Sequence, residues 1–134
     1  LDLSQAGPGP HELKVNDVTL TDVLIGEVWL CGGQSNMEWN VGSTIDAEKL
    51  IKESANPKIR QFHVPRRPEE QPVEEVRGQW TQAGPETTAK FTAVGYHFAR
   101  KLHRELGVPI GIINATWGGS ACETWMSSEG ISKV

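Results

Sequence analysis

The sequence predicts an α/β fold built on a parallel sheet, and three segments carry that prediction. Residues 25–31 form a nearly continuous apolar run, the pattern of a strand covered on both faces by helices. Residues 88–106 repeat apolar side chains every three to four positions (Phe91, Val94, Phe98, Leu102, Leu106), while Lys90, Arg100, Lys101, Arg104 and Glu105 take other faces, as in an amphipathic helix. Residues 110–116 are a second apolar, β-rich run. Strand, helix and strand at this spacing make a βαβ unit, whose two strands run parallel.

The remaining elements follow in chain order. Gly7-Pro8-Gly9-Pro10 is a turn or linker. Residues 11–15 and 18–20 read as two short strands around Asn16-Asp17, a hairpin that closes a first segment, residues 1–22, ahead of the sheet-bearing portion, residues 23–134. After the 25–31 strand, residues 44–54 predict a short helix with Thr44 as N-cap and Ile45, Leu50 and Ile51 as a partial apolar face. Residues 59–64 predict another strand. From Pro65 to Pro85 the chain is rich in Pro and Glu, which predicts a long surface loop anchored by Trp80. Gly107 stops the long helix and Pro109 lies just beyond it. Residues 121–126 are compatible with a further helix. There is no internal repeat or low-complexity segment.

Composition bounds the function. With 134 residues, 37% hydrophobic and 22% charged, the chain can bury one modest core and no more than one domain. A net charge of −4 argues against nucleic acid or an anionic membrane as partner, because both reward clustered Lys and Arg. The one basic pair, Arg66-Arg67, sits in a proline-bounded loop and reads as a solvated turn rather than a phosphate site. No stretch approaches the roughly 20 apolar residues that span a bilayer. The chain starts at Leu1 without a signal-peptide pattern, which suggests a mature product or a fragment. Two cysteines, Cys31 and Cys122, are too few for a disulfide framework and are expected as buried free thiols; a bridge would need their Cα atoms within about 7 Å.

The chemistry concentrates in residues 26–39, Gly-Glu-Val-Trp-Leu-Cys-Gly-Gly-Gln-Ser-Asn-Met-Glu-Trp. An apolar strand runs into a glycine pair, and Ser35 follows where the backbone must turn. Two readings stand at this point. Gly and Ser are ordinary turn residues; a serine lifted above a sheet end beside free N–H groups is also how a nucleophile is presented to an ester carbonyl. The longer word resembles the nucleophile block of the SGNH-type carbohydrate esterases, specifically the sialate O-acetylesterase family. Residues 110–120, Ile-Gly-Ile-Ile-Asn-Ala-Thr-Trp-Gly-Gly-Ser, and the Glu123-Thr124-Trp125 that follows look like the same family's second block.

The resemblance covers about residues 10–130 and implies a three-layer α/β/α, flavodoxin-like domain, present here only in its first portion and preceded by the last hairpin of a β-sandwich. It implies an O-acetylesterase in which Ser35 is the nucleophile, the backbone N–H groups of Ser35 and Gly119 (with Gly118 the close second choice) form the oxyanion hole, and no metal or cofactor takes part. Gln34 and Asn36 either orient the loop or contact substrate, or else only satisfy turn backbone groups. Trp117, with Trp39 and Trp125, is a candidate for a sugar-binding rim, although tryptophan is more often core than cleft.

The rest of the machinery is missing from the sequence. A serine nucleophile needs a base, which in the resembled family comes from an Asp-x-x-His motif, with a further oxyanion donor from a Tyr-Gln-Gly-Glu-like block. Neither motif occurs here, and His11, His63, His97 and His103 do not fit the role. The expected partners are therefore an acetylated carbohydrate, most naturally sialic acid, and either a second polypeptide supplying the Asp-x-x-His part or, if the sequence is truncated, the rest of the same chain. The compartment implied by the family lies outside the cytosol: periplasm, lysosome or secretion. Two other readings remain, a non-catalytic carbohydrate-binding or scaffold fragment and a xylan acetylesterase of the same fold. Asn114-Ala115-Thr116 matches a glycosylation sequon, but its place in a buried strand argues against use.

Overall fold

The structure, a computed structural model, describes residues 3 and 5–133. Strands β1 (His11–Val15) and β2 (Val18–Val23) form the expected antiparallel hairpin, with Asn16 at φ 53°, a left-handed turn conformation that asparagine tolerates. The hairpin is a two-stranded sheet of its own. Its tether to the rest is Asp22: the Arg60 guanidinium donates to the Asp22 carbonyl and to Oδ1, both at 2.8 Å, and Gln82 Nε2 donates to Oδ2 at 2.9 Å.

The main sheet has four strands in the order β3 (Glu27–Gly33), β6 (Ile110–Thr116), β4 (Asn56–His63), β5 (Trp80–Ala83). The first three run parallel. β5 runs antiparallel to β4, so the sheet is mixed rather than parallel, and the excursion after Pro65 is not loop throughout. Its last residues pair because Trp80 packs edge-on against Phe62, with ring centroids 5.7 Å apart, and lies over Gly111, where any Cβ would come within 3.0 Å of the indole.

Helix α3 (Ala93–Leu106) is shorter than the 88–106 pattern predicts. Residues Thr88–Lys90 form a separate 3-10 turn, and Thr92 restarts the chain as N-cap of α3. Only part of the apolar stripe is buried: Phe91 lies in the core and Leu102 packs against it. Val94, Phe98 and Leu106 are exposed, whereas Ala93, Gly95, Tyr96 and Ala99 are buried. Ala93, Gly95 and Ala99 let the helix close onto the sheet and Tyr96 fills the core, while Phe98 at the rim packs edge-on against Trp29 at 5.1 Å. Gly107, at φ 70°, ends the helix as expected.

Between β3 and β4 the predicted 44–54 helix contracts to α2 (Ala47–Lys52), and Thr44 is not its cap. The Thr44 hydroxyl instead donates to the Val41 carbonyl at 2.7 Å, Asp46 precedes the helix at φ 60°, and Ile45 is 92% exposed; only Leu50 and Ile51 reach the core. The core lies between α3 and one face of the sheet, around Ile59, Phe91, Tyr96, Ile110 and Ile112, each burial of this kind contributing about 1.5–3 kcal/mol. The expectation that both faces of the first strand are covered is not met among the described residues. Val28 and Leu30 are 58% and 70% exposed, and β3 is an edge strand. Residues 121–126 form a 3-10 turn (Cys122–Trp125) followed by a short helix, α4 (Ser128–Ile131). Cys31 is buried as expected; Cys122 is not, since it rides that turn at the surface, and both thiols are free.

Candidate active site

The pairing of β3 with β6 builds the site. The two strands are in register from Glu27 opposite Ile110 to Gly33 opposite Thr116, and the ladder extends one step further where Trp117 N–H donates to the Gly33 carbonyl at 3.0 Å. Both strands therefore end at the same level, on the carboxyl side where α/β sheets collect ligands. Gly33, at φ 141°, lets the chain break from the strand at a conformation that side chains disfavour.

Helix α1 (Ser35–Glu38) begins immediately. Ser35 is its first residue, a position whose backbone N–H has no acceptor within the helix. The Ser35 side chain is exposed, and its hydroxyl donates to Gln34 Oε1 at 3.1 Å. Asn36 is exposed beside it. The helix is held by three bonds to the segment entering α3. Thr92 Oγ1 donates to the Met37 carbonyl at 2.6 Å, Ala93 N–H donates to the Trp39 carbonyl at 2.8 Å, and Val41 N–H donates to the Phe91 carbonyl at 3.0 Å. Thr92 is itself fixed from β4, its N–H donating to the buried Gln61 Oε1 at 3.0 Å. A four-residue helix that could not persist alone is thus a rigid platform.

The Trp117–Ser120 turn comes to the same platform. A Cβ on Gly118 would lie 3.7 Å from Ser35 Cα and would displace the Glu38 carboxylate. Gly118 N–H donates to Glu38 Oε2 at 2.8 Å. Gly119 follows at φ 78°, with open space where a Cβ would lie. Ser120 Oγ donates to the Trp117 carbonyl at 2.7 Å and accepts from the Trp125 indole N–H at 2.9 Å, which closes the turn. Trp39, Trp117 and Trp125 are 57%, 38% and 44% exposed, so all three are surface residues rather than core.

Glu38 is the residue that sequence reasoning missed. Its second oxygen, Oε1, is shielded from solvent and has the Arg66 guanidinium as its ion-pair partner, with no other donor among the described residues. Arg66 is accordingly not a freely solvated turn residue. The available signal was the spacing: an acid three residues after the serine falls one helical turn away.

Neither a base nor a metal ligand set joins this cluster. Among the described residues no histidine is hydrogen-bonded to Ser35. His11 Nε2 lies 2.7 Å from the Gly7 carbonyl, His103 Nδ1 lies 2.7 Å from the Val108 carbonyl, and His63 is exposed at the end of β4. No group of three or more His, Cys, Asp or Glu is assembled among the described residues. Nor is any described helix long and apolar enough to cross a membrane. Asn114 is 4% exposed and accepts from Thr116 Oγ1 at 2.8 Å, as expected of a sequon locked into a strand. A cavity of about 440 Å³ opens at the opposite, amino end of the sheet, between β2 and residues such as Lys58, Arg60 and Trp80, and contains none of the candidates.

Comparison with known proteins gives this cluster a context. Residues 25–133 match the family described as carbohydrate esterase, sialic acid-specific acetylesterase. The chain is 35% identical to the rat sialate O-acetylesterase over 140 aligned positions, covering 92% of this chain and 26% of that protein, and 34% identical to the human one, covering 92% and 27%. It also resembles the crystal structure of a carbohydrate acetylesterase from Xanthomonas citri, with 44% identity and a TM-score of 0.84 over 86% of this chain and 27% of that one. The chain thus spans about a quarter of the length of these relatives. With one family covering the whole of its main sheet and the Ser35 cluster, the chain belongs to the sialic acid-specific acetylesterases among the carbohydrate esterases.

Proposed function

We propose that this chain carries the nucleophile half of a carbohydrate O-acetylesterase. The observation that carries the reading is the in-register pairing of β3 with β6, which brings the Ser35 helix and the Gly118-Gly119 turn to one sheet end. Ser35 Oγ attacks the acetyl carbonyl carbon and gives its proton to a base. The negative charge that develops on the carbonyl oxygen is met by the N–H groups of Ser35 and Gly119, while Gly118 N–H stays committed to Glu38. Collapse of the intermediate breaks the bond to the sugar oxygen, which takes up the proton; water then cleaves the acetyl-enzyme to acetate. No step calls for a metal or cofactor.

The base and its carboxylate belong to an Asp-x-x-His motif outside these 134 residues, on the continuing chain or a second polypeptide. The same reading makes residues 1–22 the end of a preceding β-sandwich and residues 23–134 the first portion of a three-layer SGNH-type domain. The exposed Val28 and Leu30 suit a sheet face that awaits its third layer. The substrate is an O-acetylated sugar, sialic acid before xylan because the mammalian relatives bear that name, and the site of action lies outside the cytosol. Trp117 suits the rim of the sugar site by its exposure.

Fluorophosphonate labelling of the complete protein tests the reading. Stoichiometric modification that disappears in Ser35→Ala is expected, together with loss of acetate release. An unlabelled protein that still binds the sugar would establish the non-catalytic alternative. The 134 residues alone should release little acetate, and turnover on acetylated sialic acid should exceed that on acetylated xylan.

A further inference from the structure

We infer that Glu38 is a positioning residue of the esterase: its carboxylate clamps the Gly118-Gly119 turn to the nucleophile helix and so aims the Gly119 amide at the oxyanion. The inference rests on the reading of Ser35 as nucleophile and adds the device that fixes the second half of the oxyanion hole.

The argument is geometric. Ser35 and Gly119 lie on different elements, joined at this level by the last ladder bond from Trp117 to Gly33. Beyond that bond the turn has no further backbone ladder to β3. Gly119 itself has open space where a side chain would be, so no packing holds it. What ties the turn to the Ser35 helix is the bond from Gly118 N–H to Glu38 Oε2 at 2.8 Å. A charged acceptor makes this bond stronger than a neutral one. Because peptide units are planar, fixing the Gly118 N–H leaves few dihedrals with which the next N–H, that of Gly119, can wander.

The clamp is braced at both ends. Glu38 sits on α1, which Thr92 and Ala93 pin through the Met37 and Trp39 carbonyls. Its other oxygen is shielded from solvent and faces the Arg66 guanidinium. The missing Cβ of Gly118 completes the fit, since any side chain there would occupy the place of the carboxylate. Glu38 touches neither acyl group nor nucleophile in this arrangement; it acts through Gly118.

The test uses the complete enzyme and compares two near-isosteric replacements. Glu38→Met removes the acceptor, and Glu38→Gln keeps one. Removing a whole oxyanion donor costs about 10²–10³ in kcat, so a displaced one should cost about 10–100-fold in Glu38→Met. Because the interaction matters in the transition state, KM for the acetyl sugar should stay within about twofold. Glu38→Gln should restore kcat to within about fivefold of the parent, the remainder reflecting the lost pairing with a half-exposed Arg66. Equal losses in both variants, or an unchanged kcat in Glu38→Met, would overturn the inference while Ser35→Ala remains inactive. Turnover by Ser35→Ala would instead overturn the nucleophile reading and this inference with it. Should Glu38→Met fail to fold, Gly118→Ala decides: the same kcat-selective loss is expected, and a parental kcat refutes the clamp.

Discussion

Thr92→Val replaces a hydroxyl by a methyl of nearly the same size, at a residue with no exposed surface that joins three elements. Its Oγ1 donates to the Met37 carbonyl of α1 at 2.6 Å and accepts the Gly95 N–H of α3 at a long 3.5 Å. The cap at that length contributes near the low end of the usual range, about 0.5 kcal/mol. The Met37 carbonyl loses a short bond at a part-buried site, and an unmatched buried acceptor costs about 1–3 kcal/mol. The expected loss is therefore about 1.5–3.5 kcal/mol, read as a lower urea midpoint at unchanged slope. Thr92→Ser keeps the hydroxyl and removes only the methyl that packs against Gly95, which costs about 1 kcal/mol. Because α1 carries Ser35, Thr92→Val should also depress kcat in the complete enzyme. A Thr92→Val protein within about 0.5 kcal/mol of the parent, or one more stable than Thr92→Ser, would refute the assignment of Thr92 as the fastener of the nucleophile helix.

Two further outcomes are expected. Gly95→Ala should destabilise even though alanine is the better helix former by about 1 kcal/mol. Its Cβ would meet Thr92 Cγ2 at 2.7 Å, Cys31 Sγ at 3.0 Å and Ile112 Cγ2 at 3.2 Å, and overpacking of this kind costs about 1–3 kcal/mol; a raised melting temperature would contradict it. Iodoacetamide at neutral pH should modify Cys122 and spare Cys31 until denaturant is added, because burial both blocks Cys31 and pushes its thiol pKa up, lowering the thiolate fraction; modification of Cys31 in the native protein would count against the packing of α3 on β3.

The elements that sequence pattern identified are those whose signal is local. The hairpin around Asn16-Asp17, the strands leading into the Ser35 and Trp117 turns, and the Gly107 stop were all legible because turn chemistry and apolar runs act over a few residues, although the first strand runs from Glu27 to Gly33 rather than from 25 to 31. Errors arose where partners distant in sequence decide the outcome. Trp80 starts a strand only because Phe62 and Gly111 receive it. The stripe from Val94 to Leu106 has helical periodicity, but which face of a helix is buried depends on how closely it can approach the sheet, and here the small residues allow the closer approach. Thr44 has a capping residue's chemistry and spends its hydroxyl on Val41 instead.

By itself the sequence determined that a serine follows a strand into a tight turn, that a Trp-Gly-Gly-Ser turn follows another strand, and that these 134 residues hold no Asp-x-x-His. The tertiary structure decided that these two turns share one sheet end, that Glu38 and Arg66 join them, and that Gly118 N–H is already taken. The division has a physical cause. Turn and strand preferences are encoded within a few neighbouring residues, whereas a carboxylate's partner 80 positions along the chain is set by strand register, which only the assembled sheet fixes.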